Sequence, residues 1–129
     1  MNLKATPLRP HKVLIVDDST IMRDFLRKTL IELGFNRFFE ASNTADAFIK
    51  YQQEQPHFTF LDIELGDDSG LDVFEAILAE DQDAKVTIIT AHSTIDNVKK
   101  AMSLGAKSFL VKPFQPQKLL MAVKNMSAV

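Results

Sequence analysis

The 129-residue chain is 46% hydrophobic and 25% charged, with a formal net charge of -2 and no cysteine. That is the length of one domain, able to bury about two-thirds of its unfolded surface, and the missing thiols exclude disulfides, zinc–thiolate sites and cysteine nucleophiles together. The faintly acidic balance argues against a nucleic-acid binder, whose footprint is strongly basic, and no apolar run approaches the roughly 20 residues of a membrane span.

Residues 1–10 contain Pro7 and Pro10, show no periodicity and lack the apolar centre of a signal peptide. They are expected to form a flexible N-terminal tail, with a single domain over 11–129. Val13-Leu14-Ile15-Val16 reads as a buried strand that stops at Asp17-Asp18. Ile21, Met22, Phe25, Leu26, Leu30 and Leu33 then recur at helical spacing, and Gly34 is a plausible terminator. Arg37 to Ala41 reads as a second strand, followed by a helix marked by Ala45, Phe48, Ile49 and Gln52. Ser42 or Asn43 caps that helix, and it ends before Pro56.

Phe58 to Leu61 is the third strand, terminated by Asp62. A loop through Gly66-Asp67-Asp68-Ser69-Gly70 leads into a helix with Leu71, Phe74 and Leu78 on one side. Val86 to Ile89 is the fourth strand, ending at Thr90, and a helix from about Ser93 to Leu104 carries Ile95, Val98, Ala101 and Met102. Ser108 to Val111 is the fifth strand, ending at Lys112-Pro113, and the last helix carries Leu119, Leu120, Val123 and Met126. Strands without alternation, each followed by a helix, predict an α/β fold with a parallel sheet covered on both faces. Right-handed crossovers make it a doubly wound (βα)5 unit.

The four glycines cannot compose a dinucleotide-binding G-x-G-x-x-G or a phosphate-binding P-loop. The chemistry lies instead at the carboxyl ends of the strands, where ligands bind in such sheets. Asp17 and Asp18, Asp62, Thr90 and Lys112 occupy four of those ends. Singly each has a plainer explanation: Asp18 or Ser19 as a helix cap, Thr90 as a strand end, Lys112 as a solvated cation, Asp62 as a turn residue. Together they converge on one crevice. Two carboxylates about 4 Å apart repel by roughly 4 kcal/mol at an effective dielectric near 20, and a bound cation removes that cost. Oxygen ligands in an open site suit magnesium or manganese. Because Asp17 and Asp18 are neighbours that point apart, one is expected to touch the metal and the other to act through water. A carboxylate beside such an ion can attack phosphorus and form an aspartyl phosphate, with Lys112 and Thr90 serving the phosphoryl oxygens.

These residues resemble the receiver domain of two-component response regulators, the CheY-like family. The resemblance runs from about Lys12 to Asn125. It rests on Val13-Leu14-Ile15-Val16-Asp17-Asp18-Ser19, on Phe60-Leu61-Asp62-Ile63 with Gly70 beyond, on Ile89-Thr90-Ala91, and on Gly105-Ala106 leading to Lys112-Pro113-Phe114. It implies the flavodoxin-like strand order 2-1-3-4-5, with Asp62 as phosphoacceptor charged from a phosphohistidine on a sensor kinase or phosphotransfer domain. Asp17, Asp18, Asp62 and the Glu64 backbone carbonyl would hold Mg2+. Thr90 would bind the phosphoryl group and draw Phe109 with it, reshaping the face of the fourth helix, fifth strand and fifth helix for an output protein. Lys112 would sense the phosphate, and its bond to Pro113 would be cis. Glu64 and His92 flank the attacking water's path in the family and would tune dephosphorylation; His92 is otherwise an exposed loop histidine. The resemblance further implies a cytoplasmic signalling protein with no direct nucleic-acid contact and no membrane insertion.

Several positions depart from the family. Gly66 stands where proline is usual, and Asp67, Asp68 and Glu64 make the site mouth acidic, as turn and cap chemistry or as a barrier to anionic donors. Phe109 replaces the tyrosine of chemotaxis regulators, although the stretch Asp17 to Asn36 looks much like theirs. Arg23, Arg27 and Lys28 form a kinase-docking face or a solvated one. Of the histidines, His11 and His57 look incidental, all three being too scattered for a metal. Rival expectations are a haloacid-dehalogenase-type phosphatase, suggested by Asp62-Ile63-Glu64, and a receiver-like interaction module that is never phosphorylated. A receiver of this length is expected to signal through a changed surface, or to act as a phosphate relay or sink.

Overall fold

A computed structural model describes residues 11–66, 68–91 and 94–127. The expected tail over residues 1–10, and with it Asp67 and His92, lies outside them. Five parallel strands form one sheet: β1 (Lys12–Val16), β2 (Arg37–Ala41), β3 (Phe58–Asp62), β6 (Val86–Thr90) and β7 (Ser108–Val111). Their spatial order is β2-β1-β3-β6-β7, the flavodoxin-like order that the family resemblance implied. In register, Val13 lies beside both Phe38 and Phe58, and Asp62 lies beside Ile89. Five helices alternate with the strands: α1 (Thr20–Glu32), α2 (Thr44–Glu54), α3 (Gly70–Glu80), α4 (Ile95–Leu104) and α5 (Pro116–Ser127).

The sheet has a core on each face because successive side chains on a strand point opposite ways. Val13, Ile15 and Phe60 pack with Leu26 and Leu30 of α1 and with Leu119 and Val123 of α5. Leu14, Val16 and Leu61 pack on the other side with Ala47 and Tyr51 of α2, Phe74 and Ile77 of α3, and Ala101 of α4. Parallel strands buried on both faces need apolar residues throughout, which is why their sequences do not alternate.

Short polar side chains start the helices at once after the strands. Ser19, Asn43, Ser69 and Thr94 accept the backbone N–H groups of Met22, Asp46, Leu71 and Asn97, satisfying donors that have no partner within the helix. Gly34, with φ +104°, closes α1. Its N–H reaches the Ile31 carbonyl and the Phe35 N–H the Leu30 carbonyl, the paired bonds of a Schellman ending.

Two expectations are corrected. The buried face of α2 is Ala47 and Tyr51, whereas Ala45 and Ile49 are exposed. Phe48 and Ile49 are the more hydrophobic residues, but they lie on the flanks of the stripe that meets the sheet. The stretch expected as a plain loop before α3 contains a two-stranded antiparallel hairpin, β4 (Glu64–Leu65) with β5 (Asp68–Ser69). Gly66 turns it with φ +63°, a conformation open to glycine at no steric cost.

Candidate functional site

The crevice opens where the strand order reverses, between β1 and β3. Asp17 continues β1 by one residue, its N–H donating to the Ala41 carbonyl at 3.0 Å, and it is fully buried. Its Oδ1 accepts the Ser19 N–H at 2.8 Å and its Oδ2 the Lys112 ammonium at 2.7 Å. Asp62 is the last residue of β3 and is buried. Its Oδ1 accepts the Glu64 N–H and its Oδ2 the Lys112 ammonium, both at 2.8 Å. Asp18 is exposed and accepts the Gly66 N–H at 3.1 Å.

Lys112 comes from the far side of the sheet. Its N–H donates to the Thr90 carbonyl at 2.8 Å, and the bond to Pro113 is cis, as expected. The side chain then reaches back so that one ammonium serves both buried acids. Thr90 ends β6 fully buried, and its hydroxyl donates to Glu64 Oε1 at 2.5 Å. Phe109 on β7 is half-buried against the α2–α3–α4 core. A cavity of about 550 Å³ lies alongside, walled by Phe109, Val111, Pro113 and Phe114.

The electrostatics follow from that packing. Burial pushes the Asp62 carboxyl up to about 6, with Asp17 adding to the rise and the hydrogen bonds from Lys112 and Glu64 opposing it. Burial pulls the Lys112 ammonium down, but its hydrogen bonds to Asp17 and Asp62 outweigh this and it ends above its usual value. One cation does not balance three acids. Asp17, Asp18 and Asp62 offer oxygens that all lie within 4.8 Å of one another. Such a hard-oxygen set with one exposed member fits a small divalent cation that keeps part of its water, and it is the only such group among the described residues.

The sequence-predicted acids, Thr90 and Lys112 therefore meet in one place, while His92 lies outside the described residues. Arg23 and Arg27 of α1 are engaged in ion pairs, while Lys28 is exposed. Arg23 donates to Glu40 at 3.1 Å and to the Asp17 carbonyl at 2.6 Å, and Arg27 to Glu40 at 2.9 Å and Asp24 at 3.0 Å. Asp68 accepts the Thr44 hydroxyl at 3.2 Å while Ser69 caps α3, so Asp68 ties the hairpin to α2. His11 and His57 are not scattered but meet edge to face at 4.9 Å, and His57 Nδ1 accepts the Lys12 N–H. Sequence reasoning missed the Arg23 clamp on the Asp17 carbonyl, the Gly66 bond to Asp18 and the Thr90 bond to Glu64. Only the last had a signal, the placement of Glu64 two residues beyond Asp62.

Residues 13–124 match the response regulator receiver domain family. The chain is 34% identical over 116 residues to the chemotaxis protein CheY of Thermotoga maritima, covering 90% of this chain and 97% of that one. Against CheY of Bacillus subtilis the identity is 34% over 115 residues, covering 89% and 96%. A chain in the crystal structure of the CheX–CheY–BeF3–Mg2+ complex from Borrelia burgdorferi superposes with a TM-score of 0.88 at 32% identity, covering 93% of this chain and 91% of that one.

Proposed function

The chain belongs to the response regulator receiver domain family, and from that membership we propose that it takes a phosphoryl group on Asp62 and signals by the change this makes to its surface. Receiver domains are signalling proteins that bind Mg2+ at an acidic pocket, and CheY-like members act with histidine kinases and downstream targets. The observation that carries the proposal is the Asp62 carboxylate, buried at a strand end between the Lys112 ammonium and the Asp17–Asp18 acids.

An Asp62 oxygen forms the new bond to phosphorus, the phosphorus–nitrogen bond of the donor phosphohistidine breaks, and the imidazole leaves with the electron pair. Asp17, Asp18, Asp62 and the Glu64 carbonyl would hold Mg2+, which when bound neutralises charge on the transferring group. Lys112 supplies a fixed cation to the same oxygens, and Thr90 a hydroxyl donor. Glu64 beside Asp62 would tune the later hydrolysis, and His92 is proposed to share that role. Phe109 and the neighbouring cavity support an output surface on α4, β7 and α5. The match along 97% and 96% of two chemotaxis proteins supports a receiver domain over residues 11–129 in a chemotaxis-type pathway, in the cytoplasm. Among the described residues no helix is long and apolar enough to cross a membrane.

The test is intact mass after incubation with Mg2+ and acetyl phosphate. One added phosphoryl group is expected on wild type and none on Asp62→Asn. Labelling that persists in the variant, or its absence from wild type, overturns the assignment.

A further inference from the structure

Glu64 holds two of the groups that phosphorylation needs. Its backbone N–H is bonded to Asp62 Oδ1 at 2.8 Å, and its side-chain Oε1 takes the Thr90 hydroxyl at 2.5 Å. Resting on the phosphoacceptor role of Asp62, we propose that the Glu64 carboxylate is a resident stand-in for the phosphoryl group at Thr90, and that phosphorylation must evict it. Glu64 is then a positioning residue that acts through Thr90.

The chemistry is a competition for one proton. A threonine hydroxyl donates a single hydrogen bond, so Thr90 serves either the Glu64 carboxylate or a phosphoryl oxygen. The resident bond is of the strong kind: O–H to a carboxylate, at the short end of the range for such pairs. Its donor end is buried, Thr90 being wholly inaccessible to solvent, while Glu64 is partly exposed. Charge adds to the competition, because a carboxylate left in place would face the incoming phosphoryl oxygens, and the Lys112 ammonium is already shared between the two buried acids.

The backbone around Glu64 is tethered at both ends of its turn. The β4–β5 hairpin is pinned by the Gly66 N–H on Asp18 and by Thr44 on Asp68. Glu64 itself is only partly buried. Eviction is therefore a side-chain rotation on a held hairpin, and it leaves the Glu64 N–H on Asp62 undisturbed. The gate slows spontaneous charging from small anionic donors. A protein donor overcomes it by holding its phosphoryl group at Asp62 for longer.

The experiment compares wild type, Glu64→Gln and Glu64→Ala, each with Mg2+ and acetyl phosphate, following labelling by intact mass. Mg2+ binding is measured separately by calorimetry so that rates are compared at equal metal occupancy. In the labelling step an Asp62 oxygen bonds to phosphorus, the phosphorus–oxygen bond to acetate breaks, and acetate leaves with the electrons. Glu64→Ala is expected to label about tenfold faster than wild type, the loss of one charge-assisted hydrogen bond, with Glu64→Gln between them because it keeps an acceptor and drops the charge. In a Thr90→Val background the advantage of Glu64→Ala is expected to collapse. In the unlabelled protein, the Thr90 hydroxyl proton is expected to be protected from exchange in wild type and unprotected in Glu64→Ala. Equal or slower labelling of both Glu64 variants, with wild type still labelled, overturns the stand-in and leaves the role of Asp62 intact. An advantage that survives in Thr90→Val also overturns it, since repulsion alone is then sufficient. Failure of all forms to label overturns the phosphoacceptor assignment and the stand-in together.

Discussion

At the scale of single residues, the site is a set of charges that the fold concentrates at a cost. Asp62 shows this most directly, because burial has moved its carboxyl up to about 6 from an ordinary value of 3.8. A carboxyl whose folded value is raised binds its proton more tightly in the folded state than in the unfolded one. Its effect on stability is therefore most favourable below about pH 4 and is lost as the pH rises from there through about 6. Without metal, Asp62→Asn is expected to be more stable than wild type at pH 7 by roughly 1–2 kcal/mol, a figure reduced because Lys112 loses one of its two carboxylate partners. The difference should shrink as the pH falls through 6 towards 4. Urea denaturation of the two proteins across that range checks it, and a gap that widens towards pH 4 contradicts the raised value.

At the scale of elements, Gly70 ties the site to α3. A methyl group there would lie 2.1 Å from the Asp62 carbonyl oxygen and 2.6 Å from the Ile63 Cα, so the helix start and the Asp62–Ile63 peptide cannot both stay in place. Gly70→Ala is expected to cost about 2 kcal/mol or more, read as a lower urea midpoint, and to slow labelling of Asp62 together with it. A variant as stable as wild type would show that α3 shifts freely.

The elements also show what a sequence can and cannot carry. The three central strands were legible because burial on both faces demands nearly continuous apolar runs, each halted by an acid or a hydroxyl, whereas the edge strands β2 and β7 are partly exposed and were read from shorter apolar pieces. The helices were legible from caps and period, yet of the residues that marked α2 both Ala45 and Ile49 are exposed, and Ala47 and Tyr51 supply its buried face. The β4–β5 hairpin was invisible, since two-residue strands have no period. In the site, Asp17, Asp18, Asp62, Thr90 and Lys112 could be found from their place after the strands. The bonds from Gly66 to Asp18 and from Arg23 to the Asp17 carbonyl could not, because they depend on how closely a backbone and a side chain approach across the fold.

At the scale of the whole molecule, two cores brace a sheet whose one open end gathers negative charge. An ion that binds only the folded arrangement stabilises it by mass action. At ten times its dissociation constant, Mg2+ is expected to add about 1.4 kcal/mol, raising the melting temperature by roughly 3–6 °C for a chain of this size. Asp18→Asn should melt higher than wild type without metal and gain less from Mg2+. Calorimetric scans with Mg2+ and with a chelator check both expectations, and an unchanged metal-free melting temperature in the variant would show that the acids do not strain the fold.

The ammonium that reconciles Asp17 with Asp62 lies 95 residues from one and 50 from the other along the chain. During synthesis both acids leave the ribosome well before their cation does, and domains fold as units while the chain is still emerging. Until the last strand has docked, the crevice holds facing carboxylates without the Lys112 ammonium, and of the two bonds that Asp62 accepts in the finished fold only the local one from the Glu64 N–H orients it. The fixed cation that both buried acids share is therefore among the last parts of the site to be delivered, and a copy unfinished before Lys112 lacks it.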